Sequence, residues 1–343
     1  MFGPAIMTLA RDSNVISDCI STCVQMRDES LHMGSTTSAG LTMPPRLLDQ
    51  LAREDNFVAD VGFALLSIGS MFYTPPSEWA IIASTYEARQ AESVLSTGGF
   101  ELTPEPLKSL LRLQLKFDLA ASIMTNRPPS ANLVIPPGGS MISDADDPLT
   151  SYNAFPMLSG FHESCLQPVG SHVSRWDRWF ELWSRCMSWF QDRPRKMKPV
   201  LESSDEETRH NQPFPIDVFT SATALQANLV MHMSAVTLLS QRPRLTNAPS
   251  SFQHLRSRSW HIQKIARMLV GNHFNEQWDP IVIAALFSIG KEMSHPSQQE
   301  ALLSCFDEIP KTTHIPAEKD LADLRARWQS IQEDRPPNLS HAF

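Results

Sequence analysis

The chain has no cysteine framework, no long hydrophobic run and no stretch of convincing β alternation. Five cysteines in 343 residues, an odd number in so long a chain, do not fit a disulfide-stapled secreted domain. Cys165, Cys186 and Cys305 stand among apolar residues, where a thiol acts as a small buried hydrophobe. The longest apolar run, Ile281 to Ile289, falls far short of the ~20 residues that span a bilayer, so no membrane is expected. Met1 to Ala10 lack the basic start and sustained apolar core of a signal peptide. The expected compartment is therefore reducing, nucleus or cytoplasm. A net charge of −8 excludes a nucleic-acid-binding surface spread over the whole fold and leaves room only for a local basic patch.

Catalytic signatures are missing too. There is no G-x-S-x-G elbow, Walker loop, dinucleotide fingerprint or H-E-x-x-H helix. Asp144-Ala145-Asp146-Asp147 matches by letters the acid motif of protonating terpene cyclases. That chemistry needs a carboxylic acid kept neutral in an apolar cavity. Here the acids stand in a loop rich in Pro and Gly, which reads first as a solvated acidic turn. An α-helical enzyme acting on an apolar, terpenoid-like substrate is retained as an alternative. Cys19 and Cys23, with His32 nearby, fall short of the four soft ligands that close a zinc site. No metal, no cofactor and no enzyme activity are expected.

What is present is helical periodicity. The expected fold class is all-α: a bundle of nine or ten helices around a central apolar helix at 281–289. Residues 1–46 read as a short helix or coil and a linker, 47–332 as the main domain, and 333–343 as a tail. Leu51, Val58, Gly62, Leu65, Gly69 and Phe72 fall on one helical face, and the two glycines would let another backbone approach closely. Ser77 is the expected cap of a helix carrying Trp79. Thr103-Pro104 opens another, which ends at Asn126. Residues 126–173 are irregular: a surface excursion, a lobe boundary or a missed element. Ser251 to Val270 reads as one helix. Ser297 to Glu300 reads as a capping box before a helix over Ala301 to Ile309.

The centre of the sequence is a helical hairpin. Trp176, Trp179, Phe180, Trp183, Met187 and Phe190 form an aromatic helix face, which is core far more often than a base-stacking platform. A basic turn, Arg193 to Pro199, and an acidic loop, Glu202 to Glu207, follow. A long helix from Asp217 to Ser240 then carries Val218, Ala222, Leu225, Leu229, His232, Val236 and Leu239 on one face. Arg242-Pro243 closes it.

Arg193-Pro194, Phe214-Pro215, Asn228 with His232 one turn on, Arg242-Pro243, Gly290-Lys291, Ser294-His295-Pro296 and Leu324 to Trp328 occur in that order. Together they resemble the fungal-specific transcription factor domain, the regulatory region of fungal zinc binuclear cluster transcription factors. The resemblance spans 174–331; over 47–125 only the helix pattern agrees. It implies a non-enzymatic transcriptional regulator in the nucleus, acting through protein partners (transcription machinery or a full-length regulator) and responsive to a small-molecule effector. Relatives carry six closely spaced cysteines ahead of the domain. This chain has no such cluster, so DNA is expected to be reached only indirectly. A domain-only protein that sequesters a full-length regulator is a further alternative.

The candidate sites follow. Asn228 and His232 are either a buried polar pair that fixes packing or a ligand-sensing pair. Arg193, Arg195, Lys196 and Lys198 are either a nuclear-localisation patch or cations at a helix C-terminus, where the dipole favours them. Ser203 and Ser204, followed by acids, are candidate phosphorylation sites.

Overall fold

A computed structural model describes residues 4–32, 44–84, 107–127, 175–203, 213–242 and 257–333. The fold is all-α, as expected, with twelve helices among the described residues. The chain divides into two compact units, residues 1–134 with 313–319, and residues 135–312 with 320–343. One boundary between them falls inside the stretch 126–173 and the other two at the ends of 313–319; most of 126–173, with the Asp144–Asp147 motif, lies outside the described residues.

The first unit begins earlier than the sequence pattern suggests. Helices α1 (Pro4–Asp12) and α2 (Asn14–His32) occupy what reads as a short helix or coil and a linker. Ile16, Cys19, Cys23 and Met26 make the buried stripe of α2, at gaps of three, four and three. Two cysteines in so short a stripe hide its apolar character. They pack on α4 (Asn56–Phe72) at the glycines. A Cβ on Gly62 would lie 2.3 Å from Leu51 Cδ2 and 3.3 Å from Cys19 Sγ; one on Gly69 would lie 2.6 Å from Cys23 Sγ. What approaches first is side chain rather than the expected backbone: Leu51 and Cys19 at Gly62, and Cys23 at Gly69. The face from Leu47 to Phe72 is not one helix. It breaks into α3 (Pro45–Leu51) and α4, because Asp55 caps α4 through the Val58 amide at 2.9 Å.

A packing prediction follows. Gly69→Ala gains helix propensity but drives a methyl into Cys23, for a net loss of about 1–3 kcal/mol. Adding Cys23→Ala should recover part of that loss, so the pair is less than additive in denaturant unfolding.

Beyond α4, a 3-10 turn (Pro76–Glu78) leads into a helix that starts at Trp79 and runs to the last described residue of that stretch. Ser77 lies inside the turn rather than capping the helix. Helix α5 (Leu107–Thr125) ends at Asn126, whose φ of 54° is the left-handed conformation that closes helices.

In the second unit, α6 (Arg175–Asp192) leads to a 3-10 turn (Arg195–Met197) and a two-residue strand, β1 (Leu201–Glu202). This strand pairs antiparallel with β2 (Asp217–Val218), Leu201 opposite Val218 and Glu202 opposite Asp217. Helix α7 (Ala222–Ser240) therefore starts five residues later than the periodicity of Val218 suggests. Its true start is Ser221, whose hydroxyl accepts from the Ala224 amide at 3.2 Å. Helix α8 (Arg258–Val270) is capped by Ser257.

Helix α9 (Pro280–Gly290), the expected central helix, is buried almost throughout, and α7 is buried on most sides as well. These two, with α8 against both, form the core. Helix α7 is long and apolar enough to cross a membrane, but it is mostly buried inside the protein. Helix α10 (Pro296–Thr313) begins at Pro296, not after Ser297. The His295 carbonyl accepts the first helical bonds, and the His295 ring meets the Ser297 hydroxyl at 2.8 Å. Proline at the first helical position explains the earlier start, and the helix continues through Pro310. Helix α11 (Glu318–Glu333) presents Leu324 and Trp328 to Gly290.

Candidate functional site

The polar residues of the second unit converge where α6, α7 and α8 meet. Of the aromatic face of α6, Trp179, Trp183 and Met187 are core, Phe190 is half-buried, and Phe180, expected on the same face, is exposed. Trp179 and Trp183 stack at 5.6 Å, and the Trp179 indole N–H donates to the Leu238 carbonyl at 2.7 Å. Nothing is described of the Trp176 side chain.

His232 of α7 and His261 of α8 face each other there, Nδ1 to Nδ1, at 2.8 Å. Both are buried, and Phe190, Trp183 and Trp260 surround them at ring distances of 5.0–6.3 Å. Two ring nitrogens so close need one proton between them. One ring must therefore carry its proton on Nδ1, and the other must offer a lone pair there. Burial pushes His232 well below its ordinary value, and His261, Lys264 and Arg193 push it further the same way. The pair is thus a neutral clamp between two helices. A second proton on the facing nitrogens would break it.

Asn228 does not join this pair. Its amide donates to the Met197 carbonyl at 2.7 Å and the Ala224 carbonyl at 2.8 Å. It pins the basic turn to α7, while His232 turns to a partner the sequence reading did not single out. The signal was there: His261, Ile265, Met268 and Asn272 recur at gaps of four, three and four, and all are buried.

Beside the clamp, Lys264 of α8 ties down the small hairpin. Its ammonium contacts Asp217 at 3.0 Å and also Glu202. Burial raises the Asp217 carboxyl against the opposing pull of Lys264, and Asp217 Oδ1 has no partner among the described residues. Asn272 completes the tether, donating to the Asp217 carbonyl at 2.7 Å and accepting from the Phe219 amide at 2.9 Å. Local sequence alone would not hold two strands of two residues; these side chains do.

The basic turn divides by burial. Arg195, Lys196 and Lys198 are exposed. Arg193 is half-buried, with its guanidinium 3.8 Å from the Phe190 ring centroid and a hydrogen bond to the Phe190 carbonyl in the last turn of α6. For Arg193, then, the helix-terminating role applies. Ser203 is half-buried at the end of β1, its amide donating to the Ile216 carbonyl at 3.0 Å. Ser204 lies outside the described residues.

Cys19 and Cys23 are buried packing groups in the first unit, their thiols pushed up to about 12 by burial. Thiols held neutral are poor metal ligands. No group of three or more metal-ligating side chains occurs among the described residues. Searches against protein-family models, curated proteins and solved structures return no match.

Proposed function

We propose that the chain is a non-enzymatic regulatory module that acts on transcription through protein partners, in the manner of fungal zinc-cluster regulators. One observation carries this reading: four of the residues behind the resemblance, Arg193, Asn228, Phe214 and Trp328, hold or fill the second unit. Arg193 caps α6 against Phe190, Asn228 holds the Met197 carbonyl, Phe214 is buried, and the Trp328 indole holds the Gly290 carbonyl at 2.8 Å. A framework of side-chain clamps between helices also suits a module that shifts between packings when a partner prefers one of them. The exposed cations Arg195, Lys196 and Lys198 supply the nuclear address.

The test is a fusion of the full chain to a heterologous DNA-binding module in a fungal reporter strain. Reporter output should change several-fold relative to the module alone. Recovery of a zinc-cluster protein with the chain, without a reporter change, would favour the sequestering role instead. No reporter change and no such partner would end the proposal. In the same strain, a fluorescent fusion with Arg195, Lys196 and Lys198 all changed to Ala should lose nuclear accumulation. Its unfolding midpoint should stay that of the parent, because these side chains are exposed.

A further inference from the structure

Lys264 and Asp217 are buried together, with side chains 8% and 4% exposed, and Lys264 Nζ stands 3.0 Å from Asp217 Oδ2. The Asp217 carboxyl carbon lies one bond beyond that oxygen. Separate devices hold the two groups in place. Lys264 sits in the middle of α8, with the Trp260 ring centroid 5.7 Å from its Nζ. Asp217 is fixed by its pairing in β2 and by Asn272, which donates to its carbonyl at 2.7 Å. Gly271, just past α8, lets the strand lie close to the helix end. A Cβ there would stand 3.1 Å from the Asp217 carbonyl oxygen and 2.6 Å from Ile216 Cγ2. An amine and a carboxyl so fixed meet in one orientation, which is what makes an intramolecular condensation fast.

Three further features fit bond formation better than a lasting ion pair. Asp217 Oδ1 has no hydrogen-bond partner among the described residues, although a buried carboxylate ordinarily fills its acceptor sites. Burial raises the Asp217 carboxyl against the pull of Lys264, which keeps the acid form within reach. The third feature is Glu202. It stands opposite Asp217 in the strand pair and contacts the same Lys264 nitrogen. Its side chain is 56% exposed, so it can carry protons between the buried pair and solvent.

We infer that Lys264 and Asp217 close an isopeptide bond, with Glu202 as the proton carrier. Lys264 Nζ passes a proton to Glu202 and attacks Asp217 Cγ with the lone pair so freed. A carbon–nitrogen bond forms and the bond from Cγ to one carboxyl oxygen breaks. Of the three protons of the Lys264 ammonium, one stays on the amide nitrogen. The other two leave on the departing Asp217 oxygen as water, relayed by Glu202. Nothing is oxidised or reduced, and no co-reactant is needed. The product ties β2 to α8 across 47 positions of the chain. The inference stands whether or not the chain regulates transcription.

Intact-mass spectrometry of the full chain, incubated at neutral pH after purification, tests it. The mass should fall short of the sequence mass by one water. Digestion should release a branched peptide that joins the Asp217 and Lys264 segments. Glu202→Gln should yield about tenfold less of that branched peptide over the same period, or none. Lys264→Arg, which keeps the cation but has no amine to acylate, should retain the full sequence mass. If Lys264→Arg fails to fold by circular dichroism, the branched peptide of the parent and its loss in Glu202→Gln, a change at an exposed position, decide the matter. A parent of full sequence mass overturns the inference. So does a water loss without the branched peptide, which marks a succinimide, or a branched peptide that forms as fully in Glu202→Gln as in the parent.

Discussion

His261→Ala should destabilise the second unit by about 2–4 kcal/mol, the sum of a cavity among Trp183, Trp260 and Phe190 and a buried His232 nitrogen left unpaired. Replacing both histidines by leucine should cost less than the single change, because both facing Nδ1 atoms are removed together and volume is nearly kept. The double variant thus returns part of what the single one loses. Acid separates them again. His232 sits below its ordinary value of 6.5 in the folded chain, so below that pH the unfolded chain takes up the proton first. The stability that neutral His232 permits is present above 6.5 and is lost as pH falls towards the folded-state value. The slope is about 1.4 kcal/mol for each pH unit. Between pH 6.5 and 5 the parent should lose stability faster than the double leucine variant. Asp217, raised by burial, works in the opposite direction, but it is common to both proteins and cancels in the comparison. Denaturant unfolding at a series of pH values, with hydrogen exchange read in α7 and α8, gives the result. Equal slopes would mean that the clamp is not what makes this unit acid-sensitive.

The clamp also marks the limit of the sequence reading. Helices α7 and α9 are legible because apolar side chains recur through them and Arg242-Pro243 and Asp279-Pro280 punctuate their ends. Helix period says which face a residue is on, not which residue of another helix it meets. His232 could be placed on the buried stripe, but its partner 29 positions away could not, and Asn228, one turn off, was the nearer candidate. The hairpin was hidden for the same reason. Asp217 and Val218 read as the start of α7 because Val218 continues its stripe. What makes them a strand is Lys264, 47 positions on, and Asn272, 55 positions on. Ser221 alone carried the local signal for the true start. In the first unit, α2 was obscured because cysteines stand where a helix would ordinarily show leucine, packed against Gly62 and Gly69.

The tryptophans have a second task besides filling the core, and it yields the other large expected effect. Trp79→Ala should destabilise the first unit by about 3–5 kcal/mol, whereas Trp79→Phe should cost about 1–2 kcal/mol. The difference between the variants is the argument. Helix α4 ends against Thr74-Pro75-Pro76, which leaves the carbonyls of its last turn without amides. The Trp79 indole N–H answers two carbonyls of that break, Met71 at 2.8 Å and Thr74 at 3.2 Å, while the ring packs edge-on against Phe117 at 5.1 Å with no exposure to solvent. Phenylalanine keeps the ring and loses the donor; alanine loses both and leaves a cavity. The same device recurs in the second unit, where Trp179 answers Leu238 in the last turn of α7 and Trp328 answers Gly290 at the end of α9. At all three helix ends a buried indole supplies the donor, from the next element for α4 and from a distant one for α7 and α9. Each such end is therefore held by a contact that also joins two helices. Hydrogen exchange should show Trp79→Phe freeing amides near the α4 terminus first, with α2 and α5 keeping their protection. Uniform loss of protection across α2, α4 and α5 would show that the ring's volume, and not its N–H, secures that end.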